Sequence, residues 1–544
     1  MIIPSRQSDV VAPAGSSIGP RVYRHTTAIL LQFLMAALCI VNSPSGSQAA
    51  AATQTQPPME ERIQALIPDL EAYIASGMKA FDVPGLAIGI VAGDKLVYAK
   101  GFGVRSTGGG VPVDTRTIFQ IGSTTKAFLA TTLAIMVDRR KLRWDDRIVD
   151  LDADFQLKDP WVTREFRVFD LLAQRSGLPP YANDMLGILV GLDEATLIRS
   201  LRHVEPVSSF RSTFAYTNIT HLLAGRIVAK AAGAADGDRV LQQELLDPLG
   251  MKDSSYTAEA IQAAANHAEG YRWTPNGTIE VPFTQLFPYD FGGAGDINST
   301  IEDMARWVRL QLGNGRFEGR PIPIVSPENL AFTRTPKVAI SDKISYALGW
   351  VIQQTPHGTI VAHNGGTLGF GAYIGLVPDR DVGVIVLTNE TNMGMPDAVG
   401  LWTLDRLLGN PEADHMADRL KAARATFETA AKLFAKPANP RPFPPLAPLA
   451  GGFSHPSMGT AAVVLEGEAL VMAFPATGAK LTLEPWDGEV FTAKLLPIGR
   501  FAAVADNLGP LPNGFVQFQI DKDAKLNRFR LSLDDGQAYE FKRE

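Results

Sequence analysis

Between Met59 and Met78 apolar residues (Ile63, Leu66, Ile67, Leu70, Tyr73, Ile74) recur at the spacing of an amphipathic helix. The next segment, PGLAIGIVAGDKLVYAKGFG from Pro84 to Gly103, reads as two strands joined by a tight turn at Gly93-Asp94. From about residue 120 to 340 the pattern is mostly helical, with long loops. Strand patterns return in YALGWVIQQ, TIVAHNGG, GFGAYIGLVPD and VGVIVLTN, and an amphipathic helix over about 396–409 closes the region. Two sheet-forming parts therefore flank a helical insertion. That order predicts an α/β (α+β) domain in which distant segments complete one sheet beside an all-helical lobe.

A helical stretch over about 411–434 leads into KPANPRPFPPLAPL, Lys436 to Leu449. So many prolines exclude a helix and favour a stiff, extended linker. Beyond it, AAVVLEGEALVMAF, AKLTLEPW, GEVFTAKL, FVQFQID and NRFRLSL alternate apolar and polar residues between Gly, Asp and Pro turns. This pattern predicts a small all-β, barrel-like (lipocalin-like) C-terminal domain. The expected division is 58–410 for the first domain, 411–449 for helix and linker, and 450–544 for the β domain. Few contacts are expected to cross the proline-rich boundary.

A chain of 544 residues is too long for one ordinary domain, in keeping with this division. Its net charge of −6 and the lack of a basic patch interleaved with aromatics argue against nucleic acid as a partner. Arg21, Arg24 and His25 precede an apolar run, AILLQFLMAALCIV, which is followed by the small and polar NSPSGSQAAAAT. A basic flank, a short apolar core and a small-residue exit make residues 1–51 a signal-peptide region, with export to the periplasm or the medium as the expectation. An uncleaved anchor is the alternative. Cys39, the only cysteine, lies inside this run, so a cleaved chain has no disulfide. Leu38 stands where a lipoprotein cysteine needs a small neighbour.

Three short motifs carry candidate chemistry. IGSTTKAF places Ser123 and Lys126 in S-x-x-K spacing, where an apolar segment runs into a helical one. The two side chains then share a helix face one turn apart. A serine hydroxyl needs a base to become a nucleophile, and lysine can be that base once burial and a helix N-terminus lower its pKa. Alone the motif is weak, since about one or two such matches arise by chance in a chain of this length. Tyr216 and Asn218 form Y-x-N in FAYTNITHLLAGRIVAK, again where a loop enters a helix. His363, Asn364, Gly365 and Gly366 lie in IVAHNGGTLGFGAYIGLVP, which reads as an edge strand whose glycines admit close backbone approach. Taken singly, Tyr216 and His363 are more simply packing residues. Gly101–Gly110 has glycines but no following lysine, so it reads as a hairpin loop rather than a phosphate loop. The remaining histidines show no metal-ligand spacing, and neither a metal nor another cofactor is expected.

The ordered set S-x-x-K, Y-x-N and H-x-G resembles the class C β-lactamases and their relatives: penicillin-binding proteins, D-alanyl-D-alanine carboxypeptidases, D-aminopeptidases and β-lactamase-fold esterases. LLAQRSGLP, LLDPLGMKDS, AEGY, GGAGDINSTIEDMARW and YALGW support the resemblance, which covers about residues 60–410. It implies a β-lactamase/transpeptidase-like fold of antiparallel sheet and helical lobe. It also implies that Ser123 attacks a carbonyl, that Lys126 and Tyr216 handle its proton, and that Asn218 holds the substrate amide. His363 would occupy the place where β-lactamases commonly have lysine. Ser123 and Gly366 would supply the oxyanion hole beside Gly365. Gln174 stands in LLAQRSGLP where histidine is common.

Within this resemblance the expectation is a serine hydrolase that forms an acyl-enzyme at Ser123 and cleaves amide bonds of small or D-residue-containing peptides, as does the peptidase that opens linearised microcystin. Esterase and β-lactamase are alternatives, the latter weakened by His363. A non-catalytic penicillin- or peptide-binding sensor is the alternative of another class. The expected partner is a small-molecule or peptide substrate, with no membrane association after signal cleavage. The sequence is compatible with an oligomer.

Overall fold

The computed structural model describes residues 57–411, 414–522, 525–533 and 536–544. The signal-like segment 1–51 and Cys39 lie outside them. The described residues open with the expected helix, Met59–Phe81, and the hairpin of β1 (Gly85–Ala92) and β2 (Lys95–Gly103) turns at Gly93, whose φ of +58° suits glycine. Two short strands pair in β3 (Phe119–Gln120) with β6 (Asn298–Ser299), and two in β4 (Gly270–Arg272) with β5 (Ile279–Val281). The strands β7 (Val338–Ala339), β8 (Ile344–Tyr346), β9 (Val351–Thr355), β10 (Gly358–Gly366), β11 (Gly371–Val377) and β12 (Val382–Thr388) complete the large sheet. Its order is β2-β1-β12-β11-β10-β9-β8-β7, and every neighbouring pair is antiparallel.

Strand β1 joins the two distant halves, with Leu86 opposite Thr388. It is apolar throughout because both its faces are covered. Leu86, Ile88 and Ile90 point into one core with the helices Met59–Phe81 and Met395–Leu408. There Tyr73 stacks on Trp402 with ring centroids 4.6 Å apart. Ala87 and Val91 point into the opposite core, which continues into the helical lobe. Helix Thr125–Asp138 crosses that lobe and is buried on every side, which explains its lack of a polar face. Phe128 stacks on Trp307 at 4.0 Å, and Trp307 on Trp350 at 5.4 Å, tying this helix to the sheet.

Helix His415–Phe434 leads to the extended linker and then to eight antiparallel strands that close into a barrel: β13 (Gly451–His455), β14 (Gly459–Glu466), β15 (Ala469–Phe474), β16 (Ala479–Asp487), β17 (Val490–Leu495), β18 (Gly514–Ile520), β19 (Leu526–Leu533) and β20 (Ala538–Arg543). Closure is by β13 against β20, with Phe453 opposite Arg543. Side chains fill the interior, as an eight-stranded barrel of this size allows. Phe529 stacks on Phe541 at 4.7 Å and meets Phe453 edge-on at 4.8 Å.

The boundary is not the sparse one expected from the prolines. Between β17 and β18 the barrel inserts a turn and the helix Ala502–Leu508, and this insertion packs on the first domain. Phe501 and Val504 are fully buried in one continuous core with Leu186 and Leu189. Arg500 donates to the Gly191 carbonyl at 2.8 Å, Asn507 to that of Pro282 at 3.1 Å, and Tyr539 to Asn183 at 3.1 Å. The linker is extended as predicted, but the domains meet elsewhere, through apolar surface that the strand pattern of the tail does not reveal.

Candidate active site

Ile121 ends the apolar approach to the serine, and its N–H donates to the Ile297 carbonyl. Gly122, at φ +52°, makes the sharp entry into a short turn that continues as the Thr125–Asp138 helix. Ser123 thus stands at the start of a buried helix, with Lys126 in its first turn, as the spacing predicts. Lys126 Nζ lies 3.0 Å from Ser123 Oγ and donates to the Ala294 carbonyl at 2.6 Å. The lysine is fully buried. Desolvation lowers its pKa to about 7, against the pull of Asp184 and Asp296 in the other direction. At neutral pH a substantial fraction of the amine is therefore unprotonated and able to accept a proton.

Tyr216 and Asn218 enter from the loop before helix Ile219–Ala232. The Lys126 ammonium lies 4.8 Å from the centre of the Tyr216 ring. The Tyr216 hydroxyl is buried and completes no hydrogen bond. Burial, with Tyr346 adding to it, holds that hydroxyl well above the usual tyrosine range, and nearby Ser123 offsets only part of the rise. Asn218 donates through Nδ2 to Asp184 at 2.6 Å, which fixes the side-chain amide. Burial raises the Asp184 carboxyl to about 7, with Asn218 and Lys126 opposing.

His363, Asn364, Gly365 and Gly366 end β10. This strand is interior rather than at an edge, because β9 pairs with it as far as Ala362. Only its last four residues have one side free of strand pairing, and that side faces the serine turn. A Cβ on Gly365 would sit 2.0 Å from the Ile121 carbonyl oxygen, and one on Gly122 would sit 2.6 Å from the Gly366 nitrogen. The glycines therefore let the backbone of β10 close on the turn that carries Ser123, bringing the Gly366 and Ser123 amides together. Asn392 donates to the Gly365 carbonyl at 2.9 Å and to Asp397 at 3.0 Å, bracing this approach.

His363 is buried, with its pKa lowered to about 3 by desolvation and by Lys126, so its ring is neutral. Nδ1 bonds to the Asn364 carbonyl at 2.6 Å and Nε2 lies 3.0 Å from the Tyr346 hydroxyl. A neutral ring that donates from Nδ1 accepts at Nε2, so Tyr346 is the donor. Both ring nitrogens are engaged within the protein. Gln174, at φ +53°, accepts from the Thr217 N–H at 2.6 Å, and so holds the loop that carries Tyr216 and Asn218.

All seven candidate residues converge. The sequence reading missed Asp184, Tyr346 and Asp296, although the last two lie in phrases that carried the resemblance. Asp296 is buried, accepts from the Gly293 N–H at 3.0 Å and is held well above the usual carboxylate range by desolvation and Asp238. Among the described residues no three or more His, Cys, Asp or Glu side chains are grouped to hold a metal ion.

A fold of one antiparallel sheet, a helical lobe and this serine–lysine turn defines the β-lactamase/transpeptidase class. Residues 70–409 match the beta-lactamase family, and the chain belongs to it. Residues 435–543 match a family described only as a domain of unknown function. An unguisins hydrolase from Aspergillus violaceofuscus is 26% identical over 494 residues, covering 82% of this chain and 86% of that one. Penicillin-binding protein 4 of Amycolatopsis lactamdurans is 27% identical over 385 residues, covering 69% and 93%. Among solved structures, an octameric penicillin-binding protein homologue from Pyrococcus abyssi shares the fold with a TM-score of 0.57 at 23% identity, over 87% of this chain and 99% of that one.

Proposed function

We propose that the protein is an exported serine hydrolase that forms an acyl-enzyme at Ser123 and cleaves amide bonds of small or D-residue-containing peptides. The observation that carries this reading is the buried Lys126 amine, 3.0 Å from Ser123 Oγ with a pKa near 7. Such an amine accepts the serine proton as Oγ attacks a substrate carbonyl. The Ser123 and Gly366 amides then receive the developing oxyanion. The proton passes from Lys126 to the leaving nitrogen, and Tyr216, too weak an acid to ionise first, relays it. Water, activated by the same amine, releases the acyl group. Asn218 holds the substrate amide through its carbonyl oxygen and its second Nδ2–H, the first being committed to Asp184.

The resemblance to an unguisins hydrolase over most of both chains supports a hydrolase. A neutral His363 offers no fixed cation for the carboxylate of a β-lactam drug, which favours peptidase or esterase over β-lactamase. The basic, apolar and small-residue order of residues 1–51 supports a periplasmic or secreted location, and the octameric Pyrococcus abyssi homologue supports an oligomer.

Labelling with a fluorophosphonate tests the chemistry. The wild type is expected to label at Ser123 and to release amine from D-aminoacyl amides, and Ser123→Ala is expected to do neither while staying folded. A wild type that neither labels nor turns over p-nitrophenyl esters or aminoacyl amides makes the protein a binding sensor instead.

A further inference from the structure

A mostly apolar cavity opens beside Gly366 and Thr367. Met185, Ile188 and Phe287 line it from the helical lobe, Phe427 from the helix before the linker, and Leu508 and Leu511 from the barrel insertion. One charged side chain, Arg272 at the end of β4, lines this otherwise uncharged cavity. Its surroundings are unusual for an arginine. The guanidinium lies against the backbone of Gly509, where a Cβ would approach Cζ to 2.9 Å. Nε is buried and has no hydrogen-bond partner. Among the described residues no carboxylate forms an ion pair with Arg272, although Asp506 lines the adjoining groove. Burial lowers its pKa, with no acidic neighbour to oppose the shift.

An arginine held half-buried and unpaired costs desolvation that a bound anion would offset. Its planar fork matches a carboxylate, and the walls around it match an apolar side chain. Gly366, at the same cavity, places this subsite next to the oxyanion position. We propose that Arg272 and the cavity form a specificity subsite for a substrate that carries a carboxylate beside a bulky apolar group. The location rests on the serine hydrolase reading, but the binding does not depend on Ser123 chemistry. Leu508 and Leu511 make the barrel insertion one of the subsite's walls. His363, being neutral and internally bonded, leaves this role open.

The test uses the full-length protein and a probe with no scissile bond: 3-phenylpropanoate, compared with 3-phenylpropanamide by calorimetry. The carboxylate is expected to bind roughly tenfold or more tightly than the amide, as a charge-assisted pair implies. Arg272→Gln, shown folded by circular dichroism and an unchanged melting temperature, is expected to lose that preference, and Arg272→Lys to retain part of it. Equal affinities for the two compounds in the wild type, or an undiminished preference in Arg272→Gln, overturns the proposal. Because the probe is not cleaved, failure of fluorophosphonate labelling overturns the hydrolase reading without moving this result. In turnover, apolar dipeptides with a free carboxylate are expected to exceed their C-terminal amides in kcat/KM through KM, and to lose this advantage in Arg272→Gln.

Discussion

Lys126 sits where two opposing influences nearly balance. Desolvation drives its pKa down, while Asp184 and Asp296 draw it back up. Below about pH 7 the amine is protonated and cannot take the Ser123 proton, so the labelling rate at Ser123 is expected to rise with pH through about 7 and then level. Asp184 titrates in the same range, so the observed limb belongs to the pair. Asp184→Asn removes the carboxylate that favours the ammonium form, and the limb is expected to move to lower pH; a limb that stays in place would show that the two groups do not interact. Lys126→Arg keeps the charge but cannot deprotonate at these pH values. Its labelling rate is expected to fall by roughly a hundredfold to ten-thousandfold. Near-normal labelling in the arginine variant would make Lys126 a fixed charge and Tyr216 the base.

At the scale of elements, the site is the meeting of one turn, one helix start and one strand end. The closeness of β10 to the serine turn depends on Gly365, where a Cβ would strike the Ile121 carbonyl. Gly365→Ala is expected to push β10 away and to lower the labelling rate roughly a hundredfold, the scale of losing one oxyanion donor. The overall helix and strand content should be retained by circular dichroism, and labelling at the wild-type rate would show that the approach is not needed. Much of this was legible in the sequence. S-x-x-K lay where an apolar segment becomes helical, Y-x-N before a helix, and the glycines of HNGG where two backbones must touch. Residues that act by burial were not. Asp184 lies in YANDM, with no periodicity to mark it, and its raised pKa comes from a fold that encloses it. Tyr346 became visible only when β8 and β10 were brought together. Arg272 reads as an ordinary surface arginine, because its unpaired state is a property of the cavity and not of its neighbours in the chain.

At the scale of the molecule, the barrel is part of the body rather than an appendage. Phe434 stacks on Phe515 at 5.0 Å, Phe501 fills the space beside Gly191, and Tyr539 reaches the residue before Asp184. A chain ending after Lys436 is therefore expected to melt at a lower temperature than the full protein and to bind a hydrophobic dye such as ANS. An unchanged melting temperature with no dye binding would show that these contacts add nothing to stability. The same closure between remote segments governs how the chain is made. Strand β1 is apolar on both faces, yet its partner β12 lies about 300 residues later. At usual rates of synthesis, β1 and β2 wait on the order of 15–60 s before β12 exists. Throughout that interval one side of β1 is an open hydrogen-bonding edge, available to any other extended chain. The helical insertion can form local contacts early, whereas the central sheet must condense late and from both sides at once. Protection of that one strand, by a holding chaperone or by delayed collapse, is thus a condition for a good yield of the native protein.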